Sequence, residues 1–340
     1  MPGYEVHAAT LVDVPLVRRL ADKGMILDSE LCYTRSVDGS RGGVLSSILL
    51  SQRAGVVTLV GKAEKQPVTG QFRVKVADHL AQIVYVAPYF DGEANDLAWL
   101  ALLDAMSIEA GKRGATMLTA EVDEVSPLFV TMRQAGFAVY ARQEIWRRER
   151  GERNTDNLPP LSGVLADETE DDTLDIQLLY ANIVPRLVQP IAVPSPDSDG
   201  IVYRNNGRVQ AYIAVSRGKY GTYLMPFMHP DVLGREAAAI IEGVIARLDS
   251  DKADHTPVYV CVRRYQDWLA DTLRDQGFMS WSGQAVMVRH IAAGVRQPAF
   301  ALPAKRVFEA IPTISGSVRH FTGESEIGEK TVPYGTTNHR

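Results

Sequence analysis

The sequence predicts a mixed α/β (α+β) protein built as two tandem copies of one domain, each a set of β-branched strands interleaved with helices. Three observations carry this expectation. The same order of strands and helices is legible in residues 1–150 and again in residues 173–292. Three landmarks share one displacement: Pro88 and Pro230 lie 142 residues apart, Ala115 and Pro257 also 142, and Gly136 and Gly277 141. Between the copies, residues 151–172 are polar and turn-rich and read as a linker; residues 293–340 lack a clear period, are rich in Gly, Pro, Ser and Thr, and read as a tail.

The elements follow from local pattern. After a first strand and a helix around Val14–Ala21 comes a stretch with no clear signal. "VVTLVGKA", "PVTGQFRVKV" and "LAQIVYVAP" are then β-branched runs broken by Gly and Pro, hence strands. The next helix carries Trp99, Leu102, Leu103, Met106 and Ala110 on one stripe and stops at Gly114. "ATMLTAEV" is a strand. In "SPLFVTMRQAGF", Ser126 is placed to cap, Pro127 suits the first helical turn and Gly136 stops the helix; "FAVYARQEIWRR" closes the first copy. The second copy repeats this with "GIVYRNN", "VQAYIAVSR" and "YGTYLMPFMHP" as strands, then a helix from about Gly234. "PVYVCV" follows as a strand, then a helix stopped by Gly277, and "QAVMVRHI" closes.

Bulk properties exclude several classes. The 340 residues are 46% apolar and 23% charged, a composition that buries sizeable cores without staples. A net charge of −5 argues against a general polyanion binder, so no nucleic-acid partner is expected. No apolar run nears the length of a membrane span, and the N-terminal residues do not read as a signal peptide. Cys32 and Cys261 have neither metal-ligand nor CxxC spacing, which predicts a reducing, cytoplasmic setting and no metal.

The order strand, helix, three strands, helix, strand, helix ending in Gly-Phe, strand resembles the GNAT acyltransferases. The resemblance is carried by Ala101–Trp146 and Phe227–Leu248 and covers roughly residues 5–148 and 173–291. It is of the tandem, double-domain type, as in mycothiol synthase-like acyltransferases, and implies a mixed, mostly antiparallel twisted sheet flanked by helices in each copy. It further implies that the fourth strand splays from the fifth and pairs its open edge with the pantetheine arm of acyl-CoA. That assigns Val84 and Val86 in the first copy, and Phe227 and Met228 in the second, to coenzyme binding. The following helix would offer its N-terminus to the pyrophosphate, since unpaired N–H groups and the helix dipole favour an anion. This places a turn at Leu233, Gly234, Arg235, Glu236, Ala237 and Ala238, and its counterpart at Ala94–Trp99.

Both turns are degenerate against the family pattern. Ala94, Leu97 and Trp99 miss it entirely; Ala238 fits it, Leu233 and Glu236 do not, and Arg235 could reach a phosphate as a side chain. The positions where the resemblance implies a base hold Gln82 and Leu224; those for the acid hold Met132 and Leu273. The catalytic residues are therefore left unassigned. Other polar candidates have simpler readings: His229 as a structural strand end, Cys261 and the Trp99 stripe as core, and Trp146–Arg153 as a solvated edge.

The resemblance implies an N-acyltransferase that uses an acyl-CoA, acetyl-CoA above all, as co-substrate. Its acceptor would be the amine of a small molecule or peptide, and the protein a monomer or homodimer. The degenerate turns carry an alternative: a non-catalytic tandem module that binds a metabolite or protein partner. A third reading, transfer from aminoacyl-tRNA, fits poorly with the acidic net charge.

Overall fold

The computed structural model describes residues 5–21, 23–35, 55–62, 67–75, 79–89, 96–149, 158–195, 198–232, 234–249 and 256–291. These lie in a compact unit spanning residues 1–294. Residues 293–340, expected as a tail, fall outside the described residues.

The first half contains β1 (Glu5–Ala8), α1 (Val14–Ala21), β2 (Met25–Ile26), α2 (Ser29–Thr34), β3 (Val56–Lys62), β4 (Val68–Lys75) and β5 (Leu80–Ala87). It continues with α3 (Asp96–Lys112), β6 (Met117–Asp123), α4 (Pro127–Gln134) and β7 (Ala138–Arg148). The second half contains β8 (Val164–Asp167), α5 (Thr173–Ile183), β9 (Asp199–Asn205), β10 (Arg208–Gly218) and β11 (Gly221–Met228). Then come α6 (Gly234–Asp249), β12 (Val258–Arg263), α7 (Leu269–Asp275) and β13 (Met279–His290). The punctuation acts as written in the sequence. Ser126 accepts a bond from the Leu128 amide at 3.3 Å, and Gly136 and Gly277 take positive φ of 86° and 79° after their helices.

The two halves share one mostly antiparallel sheet, ordered β1-β3-β4-β5-β6-β13-β7-β12-β11-β10-β9-β8, with β2 paired to β5. Its centre is exchanged. The first half's closing strand β7 lies against β12, and the second half's closing strand β13 lies against β6. Side chains follow the strands. Ala285 and Met287 of β13 pack in the first core, under α3, while Trp146 and Ile145 of β7 pack in the two cores of the second half. A fully buried side chain of this kind contributes roughly 1.5–3 kcal/mol, so each core depends on the other half's last strand.

Two expectations need correction. The segment 151–172 is not all linker: Val164–Asp167 is β8, paired with β9, and Thr169 opens the second half. The Thr169 amide and hydroxyl donate to Asp172 Oδ2 at 2.8 and 2.7 Å, as those of Thr10 donate to Asp13 Oδ2 at 3.0 and 2.9 Å. This Thr-x-x-Asp cap is a further repeat marker, hidden because its displacement is 159 residues. The stretch from Trp146 is not a solvated edge either. Arg148 is buried, pairs with Glu242 of α6 and donates to the Gln276 carbonyl at 2.7 Å, because β7 is internal to the exchanged sheet.

Candidate functional site

The parallel pairs β5·β6 and β11·β12 are short. The first runs only from Leu80–Gln82 against Met117–Thr119, the second only from Thr222–Leu224 against Val258–Val260. Beyond these registers the strands part, which leaves two wedges where one edge of β5 and of β11 needs another partner.

The first wedge is filled by main chain. Met25 lies opposite Val86 and Ile26 opposite Tyr85. The Leu27 amide donates to the Val84 carbonyl at 3.0 Å, the Leu27 carbonyl accepts from the Glu121 amide of β6 at 3.0 Å, and the Tyr89 amide donates to the Lys23 carbonyl. Residues 23–27 are thus a splint between the parted strands. The Tyr85 hydroxyl donates to the Ala21 and Leu20 carbonyls, and any side chain at Gly24 would overlap that ring. Val84 and Val86, expected to meet pantetheine, lie in this structure against residues 25–27 of the chain itself.

The second wedge is filled by one side chain. Gln266, buried just after β12, accepts from the Met228 amide at 2.7 Å and donates to the Pro226 carbonyl at 2.9 Å. The Met228 edge expected to be open is therefore capped by a carboxamide. Phe227 is core, with its ring 5.5 Å from that of Tyr180 and 6.1 Å from that of Tyr212.

The turn residues scatter. Gly234, Arg235 and Ala238 line a surface cavity of about 330 Å³ at the start of α6, beside Thr272 and Gln276. Glu236 is not aimed at an anion: it accepts a 2.5 Å bond from the Tyr203 hydroxyl. Ala237 is core, Asp271 and Asp275 also face the cavity, and Leu233 lies outside the described residues. In the first copy, Ala94 and Asn95 lie outside the described residues and Trp99 is core. Leu224, Met132 and Leu273 are core, whereas Gln82 accepts from Arg73 at 3.4 Å. Cys261 is buried, and burial pushes its thiol up to about 11. His229 Nδ1 accepts from the Asp231 amide at 3.2 Å, a turn contact.

A polar cluster missed by the sequence reading lies where the halves meet. Asp28 caps α2 through the Leu31 amide at 3.0 Å and pairs with Arg73 at 3.1 Å. Burial and the charge of Glu121 raise its carboxyl to about 6, against the pull of Arg73. Glu121 Oε2 accepts from the Ser29 amide at 2.8 Å, and Oε1 lies 3.6 Å from Arg263 Nη2. Glu121 and Arg263 are 142 residues apart, so the repeat itself sets opposite charges at corresponding positions. A charged residue inside an apolar strand, "MLTAEVD" or "VYVCVR", was the available signal.

No protein-family model matches the chain, and no curated protein matches it in sequence. Solved structures do. The chain is similar to a GCN5-related N-acetyltransferase from Sphaerobacter thermophilus, with 14% identity and a TM-score of 0.53, covering 85% of this chain and 96% of that one. It is likewise similar to a tandem GNAT protein from the clavulanic acid biosynthesis pathway, at 13% identity and TM-score 0.53, covering 85% and 99%. At such identities the likeness speaks to the fold. The chain has the GNAT superfamily fold, with neighbours that span both of its halves.

Proposed function

We propose that this protein is an acyl-CoA-dependent N-acyltransferase, with acetyl-CoA as co-substrate, in which the second half takes the coenzyme and the first half is scaffold. The difference between the two closures carries the reading: a main-chain splint fixes the first wedge, whereas one rotatable side chain, Gln266, covers the second. Rotation of Gln266 would release the Met228 amide and the Pro226 carbonyl for pantetheine. The same amide, once freed, would be available to the acyl oxygen as charge develops on it. Gly234, Arg235 and Ala238, at the amino end of the 16-residue α6, would receive the pyrophosphate. The acceptor is the amine of a small molecule or peptide, and with no proton carrier at Leu224 or Leu273 the amine gives its proton to water. Positioning then supplies most of the rate. Unbridged Cys32 and Cys261 suit a reducing, cytoplasmic setting.

Calorimetric titration with acetyl-CoA tests this. Gln266→Ala should bind the coenzyme several-fold more tightly than the parent, because a competing hydrogen-bonding group is gone. No heat from either protein at ~1 mM coenzyme, an affinity of only about 4 kcal/mol, would reject the reading. A second reading, a non-catalytic binding module, is favoured by one observation: both strand edges are satisfied without a ligand. Coenzyme binding without turnover of any amine would select it.

A further inference from the structure

Where the halves meet, α2 of the first and residues 191–195 of the second border a cavity of about 50 Å³. Charged groups from both halves face it: Asp28, Glu30, Arg73, Glu121 and Arg263. Arg263 is the anomaly. Its side chain is only 3% exposed, and its Nε and Nη1 have no hydrogen-bond partner among the described residues. Buried donors of a charged group rarely stay unpaired. They point to an acceptor that the described residues do not supply.

The surrounding charges restrict what that acceptor can be. Three carboxylates already face two guanidinium groups. A simple anion would satisfy Arg263 and add to the excess of negative charge beside Glu121. A simple cation would ease Asp28 and Glu121 and leave Arg263 unpaired. A zwitterion satisfies both ends without changing the balance. The size is restrictive too. A water needs roughly 10–15 Å³ of such space, so the cavity holds only about three to five non-hydrogen atoms.

We propose that this inter-half cavity binds a small α-amino acid of glycine size, its carboxylate on the unpaired nitrogens of Arg263 and its ammonium toward Asp28 and Glu121. Binding here needs no coenzyme.

The test uses the full chain without any coenzyme, titrated calorimetrically with glycine, acetate and methylammonium, and followed by thermal unfolding. Glycine should bind saturably and raise the melting temperature, with acetate and methylammonium at least tenfold weaker. Arg263→Lys, checked by circular dichroism, should lose at least tenfold in glycine affinity. Val193→Trp provides a second variant, because Val193 borders the cavity and is 45% exposed, so a large side chain there blocks the entrance without touching a charge. Absence of saturable glycine binding to the parent protein would overturn the proposal, since waters then fill the cavity. Acetate or methylammonium binding as well as glycine, or unchanged glycine binding in Val193→Trp, would overturn it equally.

Discussion

The two wedges solve one problem with different materials. Each leaves an edge of a fourth strand without a partner. In the first, five residues of chain, Lys23–Leu27, supply a short strand that bonds to β5 and β6 together. In the second, a single carboxamide reproduces one donor and one acceptor of a strand. The difference teaches that an open edge in this fold is not tolerated empty. It also separates a permanent closure, whose removal must unravel α1–α2, from one a side-chain rotation can undo.

Four substitutions sharpen or break that comparison. The largest effect belongs to the clamp behind the second wedge, where Arg148 of exchanged β7 is buried against Glu242 of α6. Glu242→Ala leaves that guanidinium uncompensated and should cost about 3–5 kcal/mol in urea unfolding. A cost below about 1 kcal/mol would mean that α6 is not held this way.

Asp28, next to the first splint, comes second. Its carboxyl titrates near 6 in the folded protein, against 3.8 ordinarily, with Glu121, Glu30, Arg73 and the Leu31 amide around it. Between those values the folded state holds more protons than the unfolded one. Stability therefore declines as pH rises through that window and levels off above about 6. The full decline is on the order of 3 kcal/mol, and Asp28→Asn should flatten it in unfolding curves at pH 4 to 7. An identical slope in the variant would refute the assignment.

The smallest pair tests the wedges directly. Leu27→Pro removes the donor to Val84 and should cost roughly 2–3 kcal/mol, whereas Gln266→Ala, which removes side-chain bonds and leaves the main-chain course intact, should cost about 1 kcal/mol. Equal losses measured side by side would erase the distinction between a fixed and a releasable closure.

Legibility in the sequence tracked the range of each interaction. The α3 stripe from Trp99 to Ala110, the Ser126-Pro127 start and the Gly136 stop are local signals, and each element formed where its pattern lay. The splint was not legible, since Met25–Ile26 is two residues long and its partners lie about sixty residues away. Gln266 carries no local signal; its role depends on Met228 and Pro226, nearly forty residues earlier. Arg148 read as surface because its neighbours are charged, and only the exchange of β7 buries it.

By itself the sequence determined the repeated order of elements, their approximate limits and the apolar faces that form the cores. Those properties follow from periodicity and turn chemistry, which act within a few residues. Tertiary structure decided which closing strand completes which half, what fills each wedge, and which charges meet at the seam. Those outcomes depend on unpaired backbone groups and buried charges finding partners from the other copy, and two nearly equivalent copies offer a choice that no local pattern distinguishes.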